Sequence, residues 1–240
     1  MRTSWLTVCV LLCGTAVRLP AATPATGPTT EPTTEPTADP RPGLVAFYDA
    51  VRHGDEAKAF GCWYDDVEGD DARKQVEGLV HHLVTEMIAT ARLEDALRQK
   101  LPADYKKARS DGGITPDTAT LAGCRYTIYR RLAICSWGPE EDDGFPMVLD
   151  NSGKYQNQPE TWKLSMQQWH ETNASTVGDP MLLSGWGAKA KDLTTKDLIA
   201  GKFKNADDIQ LGFMKHMKEI ADAQDTSGKP ATTQSNPGPK

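Results

Sequence analysis

Apolar side chains recur every three or four residues from Asp71 to Leu101, and this spacing predicts one long amphipathic α-helix. At about 3.6 residues per turn, the helix has roughly eight turns. Because a helix gains most of its stability from packing, we expect a sheet or other helices to cover its apolar stripe. The stripe consists of Val76, Leu79, Val80, Leu83, Val84, Met87, Ile88 and Ala91, extended by Leu97 and Leu101.

Two shorter helices are predicted before the long one. The first is Gly43–His53, with Gly54 as its C-terminal stop. Asp55 is suited to cap a second helix over Glu56–Tyr64. Each has one apolar face, formed by Leu44, Phe47, Tyr48 and Val51 in the first and by Ala59, Phe60 and Trp63 in the second. The acidic run 65–71 that follows is interpreted as a solvated loop, with Asp70 or Asp71 as the predicted N-cap of the long helix.

The period of the pattern changes after Pro102, which is predicted to end the long helix before a polar stretch rich in turn formers. Short runs of β-forming residues then predict a sheet. Polar loops over 138–144 and 150–159 separate its later strands. The strands are predicted near 118–123, 125–136, 145–149 and 161–168.

Beyond Trp169 the pattern is helical again. It predicts a weak helix over 180–190, a short one over 195–200 and a longer one over 206–223. Asn205 followed by Asp208 resembles a capping box for the last helix. Its apolar stripe consists of Ile209, Phe213, Met217 and Ile220.

Three helices followed by an antiparallel sheet place the chain in the α+β class. Over Leu44–Gln168 it resembles the NTF2-like, or SnoaL-like, domains, and the final hairpin carries much of the likeness: Phe145–Leu149, a turn at 151–153, then Thr161–Leu164. The resemblance implies helices packed on a curved antiparallel sheet that forms a cone with a pocket inside. The third helix is longer than expected for the family, and 153–159 is an insertion. Members include isomerases, dehydratases and cyclases as well as non-catalytic domains, so the fold does not fix the function.

The two ends of the chain have the composition of export and spacer segments. Residues 1–21 are predicted to be a signal peptide, because Arg2 precedes an apolar run that is too short to span a membrane. Lipidation at Cys13 or Cys9 is the less favoured alternative, since bulky residues precede both. Residues 22–42 are a Thr/Pro-rich disordered linker and 226–240 a disordered tail. Between them we expect the α+β domain, 43–169, and a C-terminal helical extension, 170–225.

Charge and composition exclude several classes of protein. The net charge is −6 and no basic stripe appears, which argues against nucleic acid as a partner. No second apolar run is long enough to cross a membrane, so a secreted or periplasmic soluble protein is expected. Nucleotide-binding and EF-hand motifs are absent, and neither a cofactor nor a metal is predicted.

Three cysteines remain after the predicted signal peptide, and none of their spacings is CxxC. Cys124 and Cys135 are suited to face one another across a hairpin that turns near Tyr129 and Arg130. That turn lacks the Gly or Asn that tight hairpins favour. Buried free cysteines, Cys62 included, are therefore favoured over this disulfide.

His81 is the one candidate for catalysis. It lies at the edge of the long helix's stripe, one turn after Glu77, and a His–Glu pair beside a pocket could act as acid and base. A histidine at the rim of the fold is the simpler interpretation. His82 is expected on the outer face in a weak pair with Glu86. The residues proposed to line a ligand pocket are Tyr48, Trp63, Tyr126 and Trp162, which serve equally well as core.

The favoured hypothesis is a non-catalytic domain that binds an unknown small ligand or protein outside the cytoplasm, with a homodimer as one option. No paired and well-positioned acid–base groups are visible, which favours binding over catalysis. The alternatives are an enzyme of the SnoaL-like type, with isomerase- or dehydratase-like chemistry in the cone pocket, and a structural or assembly protein.

Overall fold

A computed structural model of the 240-residue chain describes residues 39–110, 115–136, 144–150, 161–172 and 185–227. The predicted signal peptide, most of the linker, most of the C-terminal tail, the 180–184 part of the weak helix and nearly all of the loops 138–144 and 150–159 lie outside these residues, so those predictions stay untested. The described residues form a mixed α+β structure with a five-stranded open sheet.

The first helix, α1, is Arg41–His53, and it begins two residues before the predicted start. All four residues of its predicted apolar face are buried, and Gly54 closes it with a positive φ of 70°. Helix α2 is Glu56–Gly61, where the Asp55 carboxylate accepts the Lys58 backbone N–H at 3.0 Å. This helix is shorter than predicted. Trp63–Tyr64 instead form a short strand, β1, because they pair with the last strand of the sheet.

The long helix, α3, is Asp70–Lys100 with 31 residues, and the structure confirms it. All eight residues of the predicted stripe are buried, as is Leu97. The predicted cap at Asp70 or Asp71 is wrong, since Gly69 stands at the N-cap with a φ of 89°. Both aspartates lie in the first turn, where their charge still favours the positive end of the helix.

Two segments that were predicted as turn and strand are helical. Helix α4 is Pro102–Ser110, and proline at a first helical position loses no hydrogen bond. Helix α5 is Thr118–Ala122, where a strand was predicted. Its cap explains the difference, because the Asp117 carboxylate accepts the Thr120 N–H at 2.8 Å. That hydrogen bond, together with one from the Thr120 hydroxyl and the contact with the Arg109 guanidinium, lowers the pKa of Asp117 to about 2.

The sheet has the strand order β1-β5-β4-β3-β2, and its neighbours are antiparallel except for β1 and β5, which are parallel. The predicted strand 125–136 is two strands joined by a turn at Arg130, whose φ is 58°, and this turn agrees with the hairpin considered for Cys124 and Cys135. The predicted strand 161–168 ends early, since helix α6, Met166–Thr172, begins after Ser165. The strands are β2, Arg125–Tyr129; β3, Leu132–Ser136; β4, Gly144–Asp150; and β5, Thr161–Ser165.

The C-terminal extension consists of α7, Trp186–Ile199, and α8, Ala206–Ser227. Helix α7 is continuous across the gap that was predicted between two separate helices. The Asn205 side chain accepts the Asp208 N–H at 2.9 Å, which confirms the predicted cap of α8. Of the predicted α8 stripe, Ile209 and Phe213 are buried, whereas Met217 and Ile220 are partly exposed.

Two hydrophobic cores hold these elements together. The main core joins α1, the first two-thirds of α3 and the sheet. The second, smaller core joins the end of α3 to α7 and α8, through Leu93, Ala96, Leu97, Leu198 and Ile209. Among the described helices, none has both the length and the apolar character that crossing a membrane requires.

Candidate functional site

A cleft of about 470 Å³ opens between the loop after β1, the first two turns of α3 and helix α6. It lies at the N-terminal end of the long helix and at the end of the sheet where β1 pairs with β5. None of its described lining residues is Lys or Arg. They are Asp66, Val67, Glu68, Ala72, Gln75, Val76, Gln167, His170 and Glu171.

Asp66 joins the two walls of the cleft. Its carboxylate accepts the Ser165 hydroxyl at 2.5 Å and the Gln167 backbone N–H at 2.9 Å. The Ser165 oxygen in turn accepts the Gln168 N–H at 3.0 Å. Asp66 and Ser165 therefore cap the first turn of α6, where a negative charge is favourable. This cap also ends strand β5 and turns His170 and Glu171 towards the loop.

Arg73 orders the acidic loop that forms the other wall. Its guanidinium lies 2.9 Å from an Asp65 oxygen and 3.5 Å from Asp70, and it donates to the Val67 carbonyl at 3.3 Å. One cation thus neutralises two carboxylates on the outside of the loop. Glu68, which lines the cleft, is not part of this ion-pair group.

The cleft exposes acceptors that the protein itself does not satisfy. Within the described residues, the side chains of Glu68, Gln75 and His170 make no hydrogen bond or ion pair. The Glu171 carboxylate accepts only side-chain amides, from Gln167 and, at 3.2 Å, from Gln168. Three carboxylates and an imidazole around one opening create a negative potential, which attracts cations.

His81, the predicted catalytic candidate, lies outside this cleft. Its ring is stacked on Phe60 with a centroid distance of 3.7 Å, and its side chain is 51% exposed. Its nearest carboxylate is Glu56, with 3.9 Å between Nδ1 and Oε1, and not Glu77 as predicted. The surface location agrees with a rim histidine, and a catalytic role stays a prediction.

The predicted surface pair of His82 and Glu86 is wrong. Glu86 is buried, and its carboxylate accepts the Lys191 ammonium of α7 at 2.8 Å. The sequence pattern could not reveal this contact, because the helix that covers Glu86 comes from the far end of the chain.

The predicted pocket aromatics do not line the cleft either. Tyr48, Trp63 and Trp162 are buried in the main core. Phe47 packs edge-on against Tyr48 and Trp63 with centroid distances of 5.3 and 5.8 Å. Tyr126 lies on strand β2, with the Arg41 guanidinium 5.1 Å from its ring centroid. A ligand for these four residues stays a prediction.

All three described cysteines are free, and Cys124 and Cys135 are buried. Burial raises the thiol pKa of both, as it does for the half-buried Cys62. These thiols lack the lowered pKa that marks a nucleophilic cysteine. Across the described residues, no group of three or more His, Cys, Asp or Glu side chains is positioned to hold a metal ion.

Comparison of the chain with protein-family models, curated proteins and solved structures finds no match. The function therefore has to be argued from the cleft itself. Two features of the sequence, if combined, would have indicated this cleft. The acidic run 65–71 was interpreted as a solvated capping loop, and Ser165 followed by Gln168 is a helix-capping pattern inside a segment predicted as strand.

Proposed function

We propose that this chain is an exported, non-catalytic binding protein that holds a small organic cation, an amine or guanidinium compound, in the cleft between the acidic loop and α6. The observation that carries the proposal is the set of unsatisfied acceptors there, Glu68 and His170 above all, next to a wall made rigid by Asp66. Export rests on the signal-like N-terminus and the Thr/Pro-rich linker of the sequence.

We also propose that the domain is NTF2-like. Two short helices and one long helix precede the antiparallel strands β2–β5 in the family's order, with α4 and α5 between the long helix and β2. The first three helices and the sheet share one core. The interior that would be the family's pocket contains Phe47, Tyr48 and Trp63 in close ring contacts. A ligand site beside the domain's core, in the cleft, agrees better with this packing than a site inside a cone.

The strength of such binding follows from the exposure of the cleft. A half-exposed ion pair contributes about 0.2–1 kcal/mol, so several carboxylates acting together give moderate affinity. Because these charges face solvent, added salt should weaken binding markedly. At 0.1 M ionic strength, exposed charges are largely screened beyond a Debye length of about 10 Å.

The test is calorimetric titration of the full chain with spermidine and with arginine amide, at low and at high salt. Glu68→Gln and Glu171→Gln should each weaken binding roughly two- to fivefold, since each removes one attractive charge and keeps the shape. Asp104→Asn is the matched control, because Asp104 follows the opposite end of the 31-residue helix α3, roughly 45 Å from the cleft along the helix axis. Equal effects of all three variants, or no saturable binding, would disprove the proposal.

The second candidate function is acid–base catalysis in the same cleft. His170 lines it together with three carboxylates, which are the residue types that proton transfer requires. His170→Asn separates the two functions. A binding protein keeps at least some affinity for the cation in this variant, whereas an enzyme loses its turnover.

A further inference from the structure

Strand β2 ends the sheet, and its outer edge is open. It pairs with β3 on one side and, within the described residues, with nothing on the other. Four of its five residues are exposed, and Tyr129 is 73% exposed. The opposite end of the sheet differs, because β1 has only two residues and Trp63 is buried.

The register of the hairpin shows which backbone groups face outward. A two-residue turn, Arg130-Arg131, joins β2 to β3, so the flanking pair Tyr129–Leu132 is the first hydrogen-bonded pair. Bonded and non-bonded pairs alternate in antiparallel strands. Tyr126 and Ile128 therefore direct their N–H and C=O groups away from β3, where no described residue bonds them.

An open edge of this kind is normally blocked by proline, a bulge, an inward charge or a covering element, since it can pair with another strand. The central residues of β2, Tyr126–Ile128, include neither proline nor a charged side chain. They are aromatic and β-branched, the residue types that favour strand pairing.

We propose that two copies of this chain pair through β2, antiparallel, about a two-fold axis at Thr127. In this register Tyr126 lies opposite Ile128 of the second copy, and all four outward backbone groups of each strand are hydrogen-bonded. The side-chain pairs at the centre are aromatic with β-branched and Thr with Thr, both of a stabilising type.

The neighbouring two-fold registers are poorer. An axis at Tyr126 would need the Cys124 N–H, which is already bonded to the Leu121 carbonyl. An axis at Ile128 would bring Arg130 into the ladder, and its φ of 58° does not continue a strand. Only the axis at Thr127 uses strand residues alone. A five-residue pair makes a small interface, so the dimer is expected to be weak and concentration-dependent.

The proposal is tested by substituting a charged residue at position 127, on the two-fold axis. Thr127 is exposed, so Thr127→Lys and Thr127→Glu should fold normally, which thermal denaturation checks. Because the axis puts each new charge opposite its own copy, either variant should raise the dimer dissociation constant roughly three- to tenfold in sedimentation velocity of the full chain. Mixing the two variants should restore dimers, since Lys then faces Glu.

Leu211→Lys is the matched control, because Leu211 is another exposed apolar side chain, 68% exposed, on helix α8, which packs against α7. It should leave the dissociation constant unchanged. Three outcomes would overturn the proposal: a wild-type chain that is monomeric at every concentration, dimers lost in Leu211→Lys and kept in both Thr127 variants, or no recovery on mixing. Opposite effects of Lys and Glu on the dissociation constant would also overturn it, because Thr127 would then face a charged group of the second copy and not the second copy's Thr127.

Discussion

The long helix α3 buries two unlike surfaces. Towards α1 and the sheet its buried side chains are aliphatic, and they pack with aromatic rings in the main core. Towards α7 it buries polar groups: the Glu86 carboxylate accepts the Lys191 ammonium at 2.8 Å, and the same ammonium donates to the Thr90 hydroxyl at 2.9 Å. Lys191 is fully buried.

The two surfaces therefore contribute differently: the apolar one to stability, and the polar one to the choice of a single packing arrangement. Apolar packing is non-directional, so the main core stabilises many similar arrangements of its helices. A buried ion pair costs desolvation and repays it only in one geometry. Gly187 makes that geometry reachable, since a Cβ there would lie 2.6 Å from the Glu86 Oε1. We infer that Glu86 and Lys191 fix the register of α7 on α3.

The largest expected effect comes from breaking the pair. Lys191→Met leaves the Glu86 carboxylate buried without its cation, which should lower the free energy of unfolding by about 3–5 kcal/mol. Urea denaturation followed by circular dichroism measures the loss.

The control is the double variant Lys191→Met with Glu86→Gln, which removes both charges. It should recover most of the stability, because neutral groups cost far less to bury than a lone carboxylate. If the double variant is as unstable as the single one, the loss reflects packing and not an unpaired charge. In that case the buried polar groups contribute to stability through packing, as the apolar groups do, and the ion pair adds nothing specific.

Alanine substitutions at two helical glycines test the same contrast between the two surfaces, with smaller expected changes in stability. Gly187→Ala should destabilise by about 1–3 kcal/mol, because its Cβ meets the pinned Glu86 carboxylate. Gly78→Ala on α3 is the matched control, since nothing lies within 4 Å of a Cβ there. It should stabilise by about 0.5–1 kcal/mol through helix propensity. Thermal denaturation shifts of the same sign for both variants would contradict a close contact at Gly187.

The two surfaces also differ in how far sequence predicts them. The aliphatic stripe of α3 was predictable, because periodicity depends only on neighbouring residues. The polar surface was not, since Glu86 and Lys191 are 105 positions apart and each looks like a solvent-exposed charge in its own helix. The cleft shows the same limit, because Asp66 caps a helix that begins a hundred positions later.

The predictions of short helices and strands were wrong for a related reason. Asp117 turns the β-forming run at 118–122 into helix α5 through one side-chain hydrogen bond, and Pro102 starts a helix where it was expected only to end one. A single cap outweighs propensity in segments of this length. Trp63–Tyr64 became a strand because β5 lies beside them, a neighbour that no local pattern reveals.

A second buried glutamate on α3, Glu94, provides the test with the smallest expected effect on stability. The Glu94 carboxylate accepts the Thr115 N–H at 2.9 Å and the Thr115 hydroxyl at 2.8 Å, and both of these donors are neutral. Desolvation by burial raises the pKa of Glu94 above its ordinary value of 4.5, and these hydrogen bonds offset only part of that rise.

A raised pKa means that the folded state binds the proton more tightly than the unfolded chain does. The contribution of Glu94 to stability is therefore complete below pH 4.5 and is lost as the pH rises through the folded-state pKa. Glu94→Gln keeps an acceptor for Thr115 and cannot ionise, so its stability relative to wild type should rise across that interval and then level off. Denaturation at a series of pH values measures this difference. The positive charge of Arg52 acts in the opposite direction to desolvation and lowers the pKa of Glu94. A relative stability that instead falls with pH would mean that this charge outweighs desolvation, and Glu94 would then resemble the ion-paired Glu86.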